Sequence, residues 1–146
     1  MSSFKAFEIA GSGMSAQSVR LNTTASNLAN AESVSSTPEG VYKARHPIFE
    51  AVRAQLAAGL NGQAADANAA VRVRGIYESQ APAAQRYEPG NPLADPNGYV
   101  YAPAVNVVEE MVNMISASRS YQSNVEVMNT AKSLLMKTLQ MGQGGA

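Results

Sequence analysis

Val105-Asn106-Val107-Val108-Glu109-Glu110-Met111 opens a run that reaches Leu139 without a proline or a glycine, so nothing inside it stops a helix. Taking every third and fourth residue from Val107 gives Val107, Met111, Met114, Ser118, Tyr121, Val125, Met128, Lys132, Leu135 and Leu139. Eight of these ten are apolar. The spacing is that of a heptad seam, with a positions at Val107, Met114, Tyr121, Met128 and Leu135. As one helix the run extends roughly 50 Å at about 1.5 Å per residue. That is too long for the core of a 146-residue globule. Such a helix needs a second long helix beside it.

The N-terminal arm supplies a candidate. Phe7, Met14, Leu21 and Leu28 recur at heptad spacing, with Phe4, Gly11, Ser18 and Ala25 as companions. One set is large and apolar and the other mostly small, which suits a helix that packs close to its neighbours. Gly11 and Gly13 each cost about 1 kcal/mol relative to Ala inside a helix. A continuous helix through both is the expectation; the alternative is a break, with Ser12 capping a helix that starts near Gly13.

Between the arms the character changes. Ser33-Val34-Ser35-Ser36-Thr37-Pro38-Glu39-Gly40 is turn chemistry, and Val41–Ala44 reads as a short strand interrupted by His46-Pro47. Ile48 to Leu60 suits a strand or a short helix equally. From Ala57 to Ala70 the chain is Ala, Gly, Asn, Gln and Asp with little bulk, the composition of a mobile loop. Val71-Arg72-Val73-Arg74-Gly75-Ile76-Tyr77 has the period of two expected of a strand. Pro82, Pro89, Pro92, Pro96 and Pro103 then mark a rigid irregular connection, ending in a short strand at Gly98-Tyr99-Val100-Tyr101.

The predicted fold is mainly α: two long terminal helices form an antiparallel, coiled-coil-like hairpin around a small β-containing insert. The arm covers 1–31, the insert 32–103 with its loop near 57–70, the long helix 104–140, and a disordered tail 141–146. Val108, Val112, Ile115, Val127, Ala131 and Leu134 widen the C-terminal stripe beyond what one partner helix covers. That surplus implies self-association or another partner.

Composition narrows the function. Aromatic residues are 6% of the chain, with no Trp, which argues against a large globular core and for helix seams built of Ala, Val, Met and Leu. The 11 basic and 11 acidic residues balance and are scattered singly. Nucleic-acid binding needs clustered Lys and Arg, so it is not expected. No cysteine is present, which removes disulfides, thiol catalysis and cysteine zinc sites. No apolar run approaches the ~18 residues of a membrane span. The first residues lack the pattern of a signal peptide, so a cytoplasmic protein, or export by a route without signal cleavage, is expected.

No reaction centre is legible. His46 is the sole histidine. Ser35, Ser36, Glu39 and Glu50 lie near it in sequence, but no nucleophile-elbow motif surrounds any serine. Asp95-Pro96-Asn97-Gly98 resembles a calcium loop only weakly and fits an Asx-type turn into the last strand. No Gly-rich phosphate loop opens a helix. Neither cofactor nor metal is therefore expected, and the chain is not expected to be an enzyme. An enzyme built on His46 and an acid is the remotest reading. The polar residues of the arms are more telling. Asn22, Thr23, Thr24, Ser26, Asn27 and Asn30 on one, with Arg119, Tyr121 and Asn124 on the other, fit a solvated face or, being mostly uncharged, a face that meets other subunits.

Ala25-Ser26-Asn27-Leu28-Ala29-Asn30-Ala31 resembles the N-terminal signature of the bacterial flagellar rod, hook and hook-associated axial proteins. Asn106–Met111 together with Ile115–Asn124 resembles their C-terminal signature. Tyr87-Glu88-Pro89-Gly90-Asn91-Pro92-Leu93-Ala94-Asp95-Pro96-Asn97-Gly98-Tyr99-Val100 and the opening Ile9–Gln17 are similar to a rod member of that family. Asn91 and Ala104 depart from its pattern, where His and Asn are expected.

The resemblance implies a non-enzymatic subunit of the proximal rod, the drive shaft of the basal body, polymerising through its terminal helices. It implies export by the flagellar type III apparatus without a cleaved signal, and a periplasmic place in the rod. Its partners would be further copies, other rod proteins, the membrane-ring end of the basal body and the export apparatus. The residues expected to meet other subunits are Phe7, Met14, Leu21, Asn27, Leu28 and Asn30 on the first arm. On the second they are Met111, Met114, Ile115, Arg119, Tyr121, Asn124, Val125, Met128, Leu135 and Leu139, the last two by position alone. A coiled-coil adaptor or export chaperone, acting as a small closed oligomer, is the alternative.

Overall fold

The computed structural model describes residues 3–53 and 69–143. Two helices, α1 (Ser3–Ala29) and α2 (Val107–Gln143), flank a small β-containing region. Strands β1 (Arg45–Arg53) and β2 (Ala69–Glu78) pair antiparallel, as do β3 (Ala84–Tyr87) and β4 (Tyr99–Ala102), giving two separate two-stranded sheets.

Helix α1 runs unbroken through both glycines. The reason lies on α2. A Cβ at Gly13 would stand 2.9 Å from Asn124 Nδ2, and one at Gly11 would stand 3.7 Å from Met128 Cε. Gly13 is therefore a point of close approach, and the contact it permits offsets its helix cost, while Gly11 meets α2 at ordinary van der Waals distance. Ser12 caps nothing; its hydroxyl donates to the Ile9 carbonyl at 2.8 Å and accepts the Val71 N–H at 3.1 Å, tying α1 to β2.

The buried rows differ from those expected. On α2 the large a residues Met114, Tyr121, Met128 and Leu135 are half-buried, but their inward companions are Glu110, Ala117, Asn124 and Ala131. Val107, Met111, Lys132 and Leu139, expected in the seam, are exposed. On α1 the companions Ser18 and Ala25 are exposed, while Ala10, Ala16, Thr23, Thr24 and Asn27 are buried. Small side chains let two backbones approach and maximise dispersion contact along the pair. Apolarity alone selects the larger residues one position away.

The helix ends follow from capping. Asn106 Oδ1 accepts the N–H groups of Val108 at 3.0 Å and Glu109 at 3.3 Å, so α2 starts at Val107 rather than 104. Glu109 and Glu110 in the first turn suit the positive end of the helix dipole. At the other end α2 continues through Gln143, so 141–143 are helical where a disordered tail was expected; 144–146 lie outside the described residues. Asn30 closes α1 by donating its amide to the Ser26 carbonyl at 2.8 Å.

Within the β region, 41–44 form no strand, and His46-Pro47 lie inside β1 instead of interrupting it. A strand of a two-stranded sheet has one open edge, where a proline's missing N–H leaves no ladder bond unmade. Beyond Ile48 the residues 49–53 are strand, and of the expected loop only Ala69 and Ala70 are described, both in β2. A bulge between Ile48 and Phe49 skips Arg74 on the facing strand. Strand β3 was not expected in the irregular connection. Its four residues are all exposed and show no alternation to read. Ser35 and Tyr101 exchange backbone hydrogen bonds at 2.8 and 2.9 Å, which docks the segment after α1 onto β4 beside the fully buried Val100.

The Asx turn is present. Asp95 Oδ1 accepts the N–H groups of Asn97 at 2.8 Å and Tyr99 at 2.9 Å. Gly98 completes it at φ +84°, with Tyr87 and Pro89 where a side chain would project. Asn91 serves the same connection locally, donating to Glu88 Oε2 at 2.9 Å and accepting the Leu93 N–H at 3.0 Å.

Candidate functional site

The residues expected at a subunit surface fall into three groups. Asn27 is enclosed by its own chain. Its Nδ2 donates to the Arg45 carbonyl at 2.9 Å, and its Oδ1 accepts the Arg45 N–H at 2.8 Å and the Tyr42 hydroxyl at 2.9 Å. With 0% of its surface exposed it has nothing left for another subunit, and that expectation is corrected. The amide copies a strand neighbour, pairing with both backbone groups of Arg45 where β1 begins. No local sequence signal marks this, because the partner lies 18 residues away.

The second group is half-buried: Phe7, Met14, Leu21, Leu28 and Asn30 on α1, with Met114, Tyr121, Asn124, Val125, Met128 and Leu135 on α2. The third is open: Met111, Ile115, Arg119 and Leu139. To these the structure adds Val108, Val112, Val127, Leu134, Met136 and Met141, all large, apolar and exposed. Of the wider stripe only Ala131 turns inward, at 6% exposure. These exposed apolar residues fall in two groups on α2, Val108–Ile115 and Val127–Met141, and apolar surface of that extent is the mark of an interaction surface rather than of scattered exposed residues.

A second feature lies where α1, β1 and α2 meet. Arg20, Thr24, His46, Pro47, Phe49 and Asn113 line a groove of about 360 Å³. Arg20 donates to Asn113 Oδ1 at 2.8 Å and has no acidic partner among the described residues. Its position is set by α1, while Pro47 and Phe49 of β1 supply an apolar wall.

Chemistry that needs converging acids, bases or metal ligands has little to work with here. His46 is exposed on β1 and bonds to no acid among the described residues. Glu50, one of the acids near it in sequence, is committed across the sheet to Arg72 at 2.8 Å, and that bond with the guanidinium charge lowers its carboxyl pKa below the ordinary value. Among the described residues no group of His, Asp and Glu could hold a metal ion, and no helix is long and apolar enough to cross a membrane.

Two family models match the arms that carry these surfaces. Residues 7–34 match "Flagella basal body rod protein", and 97–141 match "Flagellar basal body rod FlgEFG protein C-terminal". Two helical arms with an open apolar face, each matching the rod models, define a structural rod subunit of the flagellar basal body. The flagellar basal-body rod protein FlgC of Salmonella typhimurium is 52% identical over 94% of this chain and 96% of its own. FlgC of Escherichia coli O157:H7 is 53% identical over the same shares, and FlgC of Yersinia enterocolitica 52% identical over 98% of this chain and all of its own. The chain belongs to the FlgC family of flagellar basal-body rod proteins.

Proposed function

We propose that α1 and α2 form an antiparallel, coiled-coil-like hairpin whose outer face polymerises into the proximal rod, the drive shaft of the basal body. The order of contacts supports the hairpin: Gly11 meets Met128, Gly13 meets Asn124 and Arg20 meets Asn113, so positions rise along α1 as they fall along α2. On that register the last two turns of α2 extend past the start of α1. Leu139 and Met141, at 63% and 73% exposure, lie in that overhang.

The exposed apolar face of α2 carries the reading. In water each fully covered Val, Leu, Ile or Met side chain contributes about 1.5–3 kcal/mol, so a helix that leaves so many open is stabilised by neighbours. Those neighbours are further copies and other rod proteins, with the membrane-ring end of the basal body below. The arms, 1–31 and 104–140, do the assembling, and the insert, 32–103, lies outside them. The chain reaches its periplasmic place through the flagellar type III export apparatus without signal cleavage. It acts without cofactor, nucleic acid or membrane span, and catalyses no reaction.

The test is deletion of the gene with complementation, scoring swimming and imaging isolated basal bodies. Loss of swimming, with bodies arrested before the rod is complete and restored by the wild-type gene, is the expected result. Normal rods in the deletion strain would discard the rod role and leave the small adaptor or export chaperone.

A further inference from the structure

An asparagine followed by glycine can modify itself, because glycine carries no side chain to hinder the closing of a ring. The sequence has two such pairs, Asn61-Gly62 and Asn97-Gly98. The first lies outside the described residues; Asn97 is exposed in the turn between β3 and β4. In the reaction the Gly98 main-chain nitrogen gives up its proton and attacks the Asn97 side-chain Cγ. The new C–N bond closes a five-membered succinimide, and the bond from Cγ to Nδ2 breaks as ammonia leaves. Water then adds to either ring carbonyl and opens the ring, leaving aspartate or isoaspartate. Water is the only co-reactant.

The turn ties up the attacking atom. The Gly98 N–H donates to the Asp95 carbonyl at 2.9 Å, and the Gly98 carbonyl accepts the Glu88 N–H at 2.9 Å. Gly98 is thus held through both of its main-chain groups, at a φ of +84°. Asp95 braces the same turn from its side chain, where Oδ1 accepts the N–H groups of Asn97 at 2.8 Å and Tyr99 at 2.9 Å. Its own N–H donates to the Tyr99 carbonyl at 2.8 Å. Bringing the Gly98 nitrogen onto Asn97 Cγ turns the peptide between the two residues, and the bond to the Asp95 carbonyl has to break. The Asp95 carboxylate also disfavours the nitrogen anion that attacks. We propose that Asn97-Gly98 is a self-modification site that the Asp95 turn keeps closed, so that deamidation records chains in which this turn has opened. The rate then follows the open fraction of the turn. Isoaspartate adds a carbon to the main chain, and either product puts a second carboxylate beside Asp95. Tyr99 pairs with Tyr87 where β4 begins, the rings 5.3 Å apart, so an altered turn disturbs the start of that strand. This inference stands on the turn and is independent of the rod reading.

The test follows Asn97 by mass. The purified full chain is held in mildly alkaline buffer, one sample folded and one in urea, and trypsin then releases residues 87–119, bounded by Arg86 and Arg119. Mass spectrometry of that peptide reads the conversion of Asn97, and chromatography separates aspartate from isoaspartate. Conversion is expected to be about tenfold slower in the folded chain than in urea. Asp95→Ala removes the acceptor of two N–H groups and is expected to raise the folded rate by about tenfold. Asp95→Asn keeps an Oδ1 acceptor and should stay closer to the wild type. Equal rates in the folded chain and in urea overturn the proposal, as does an Asn97 that survives urea unchanged. So does an Asp95→Ala chain that is folded by circular dichroism and reacts at the wild-type rate. Should Asp95→Ala not fold, hydrogen exchange at the wild-type Gly98 amide decides. Protection that matches the slowing of deamidation is expected, and a Gly98 amide that exchanges as fast as in urea overturns the closed turn.

Discussion

Asn27 joins α1 to the start of β1 with one carboxamide, meeting both backbone groups of Arg45 and the Tyr42 hydroxyl. Removing it takes the partner from both backbone groups of Arg45, while the Tyr42 hydroxyl keeps Ser26 Oγ at 3.1 Å. Leaving buried donors and acceptors unmade costs about 1–3 kcal/mol each, less whatever relaxation recovers. Asn27→Ala is therefore expected to lower stability by about 2–4 kcal/mol, read as a drop in the denaturant midpoint with faster hydrogen exchange at the Arg45 amide. An unchanged Arg45 amide would contradict the assignment. Glu50 gives a second test at this scale. The Arg72 hydrogen bond, then its charge, holds the carboxyl below its ordinary value, with Arg74 adding a little. The pair thus contributes fully above the ordinary carboxylate range and is lost as pH falls through the lowered folded value. Carboxyl NMR of Arg72→Ala should show the Glu50 titration moving up toward the ordinary value, and an unmoved midpoint would remove Arg72 as the cause. The site is solvent-exposed, so its effect on overall stability is small.

The two glycines of α1 separate propensity from packing. Gly11 has room for a methyl group, since a Cβ would sit 3.7 Å from Met128 Cε; Gly13 does not, with the Asn124 amide within 2.9 Å. Gly11→Ala should stabilise the helix by about 0.5–1 kcal/mol. Gly13→Ala should gain less or lose outright, because Asn124 has to move. Thermal unfolding of the two variants side by side checks this, and equal gains would contradict the close approach. The same contrast explains what was legible in the sequence. The length of α2 could be read because no residue from Val105 to Leu139 breaks a helix, and the surplus of its apolar stripe because too many large residues share it. Which row turns inward could not. Hydrophobicity points to Met111 and Val125, but close contact selects Ala117, Ala131 and the small residues of α1. Strand β3 was hidden for a related reason: four exposed residues without alternation become a strand only because β4 stands beside them. Asn106, with an acidic residue three positions on, carries a cap signal that the expected start at 104 overlooked, and it marks the true start of α2.

As a whole molecule the chain is organised around what it leaves uncovered. Its own contacts secure the β region to α1 and bring the helices together through small residues, while Val108, Val112, Ile115, Val127 and Leu134 stay on the outside. A protein that worked alone would gain from covering them; on the proposed reading, the rod subunit keeps them for its neighbours. The central claim is thus that this face does its work in the assembly and none in the monomer. The most direct measurement pairs two readouts on one variant, Ile115→Asp with Leu134→Asp, both sites being more than half exposed at 53% and 55%. Circular dichroism and thermal unfolding of the purified chain should match the wild type to within about 0.5 kcal/mol per site. Basal bodies from cells that carry only this variant should lack the chain and stop before a complete rod. A variant that unfolds would show the face to be part of the chain's own core, and one that assembles normal rods and swims would show that the rod is held together elsewhere.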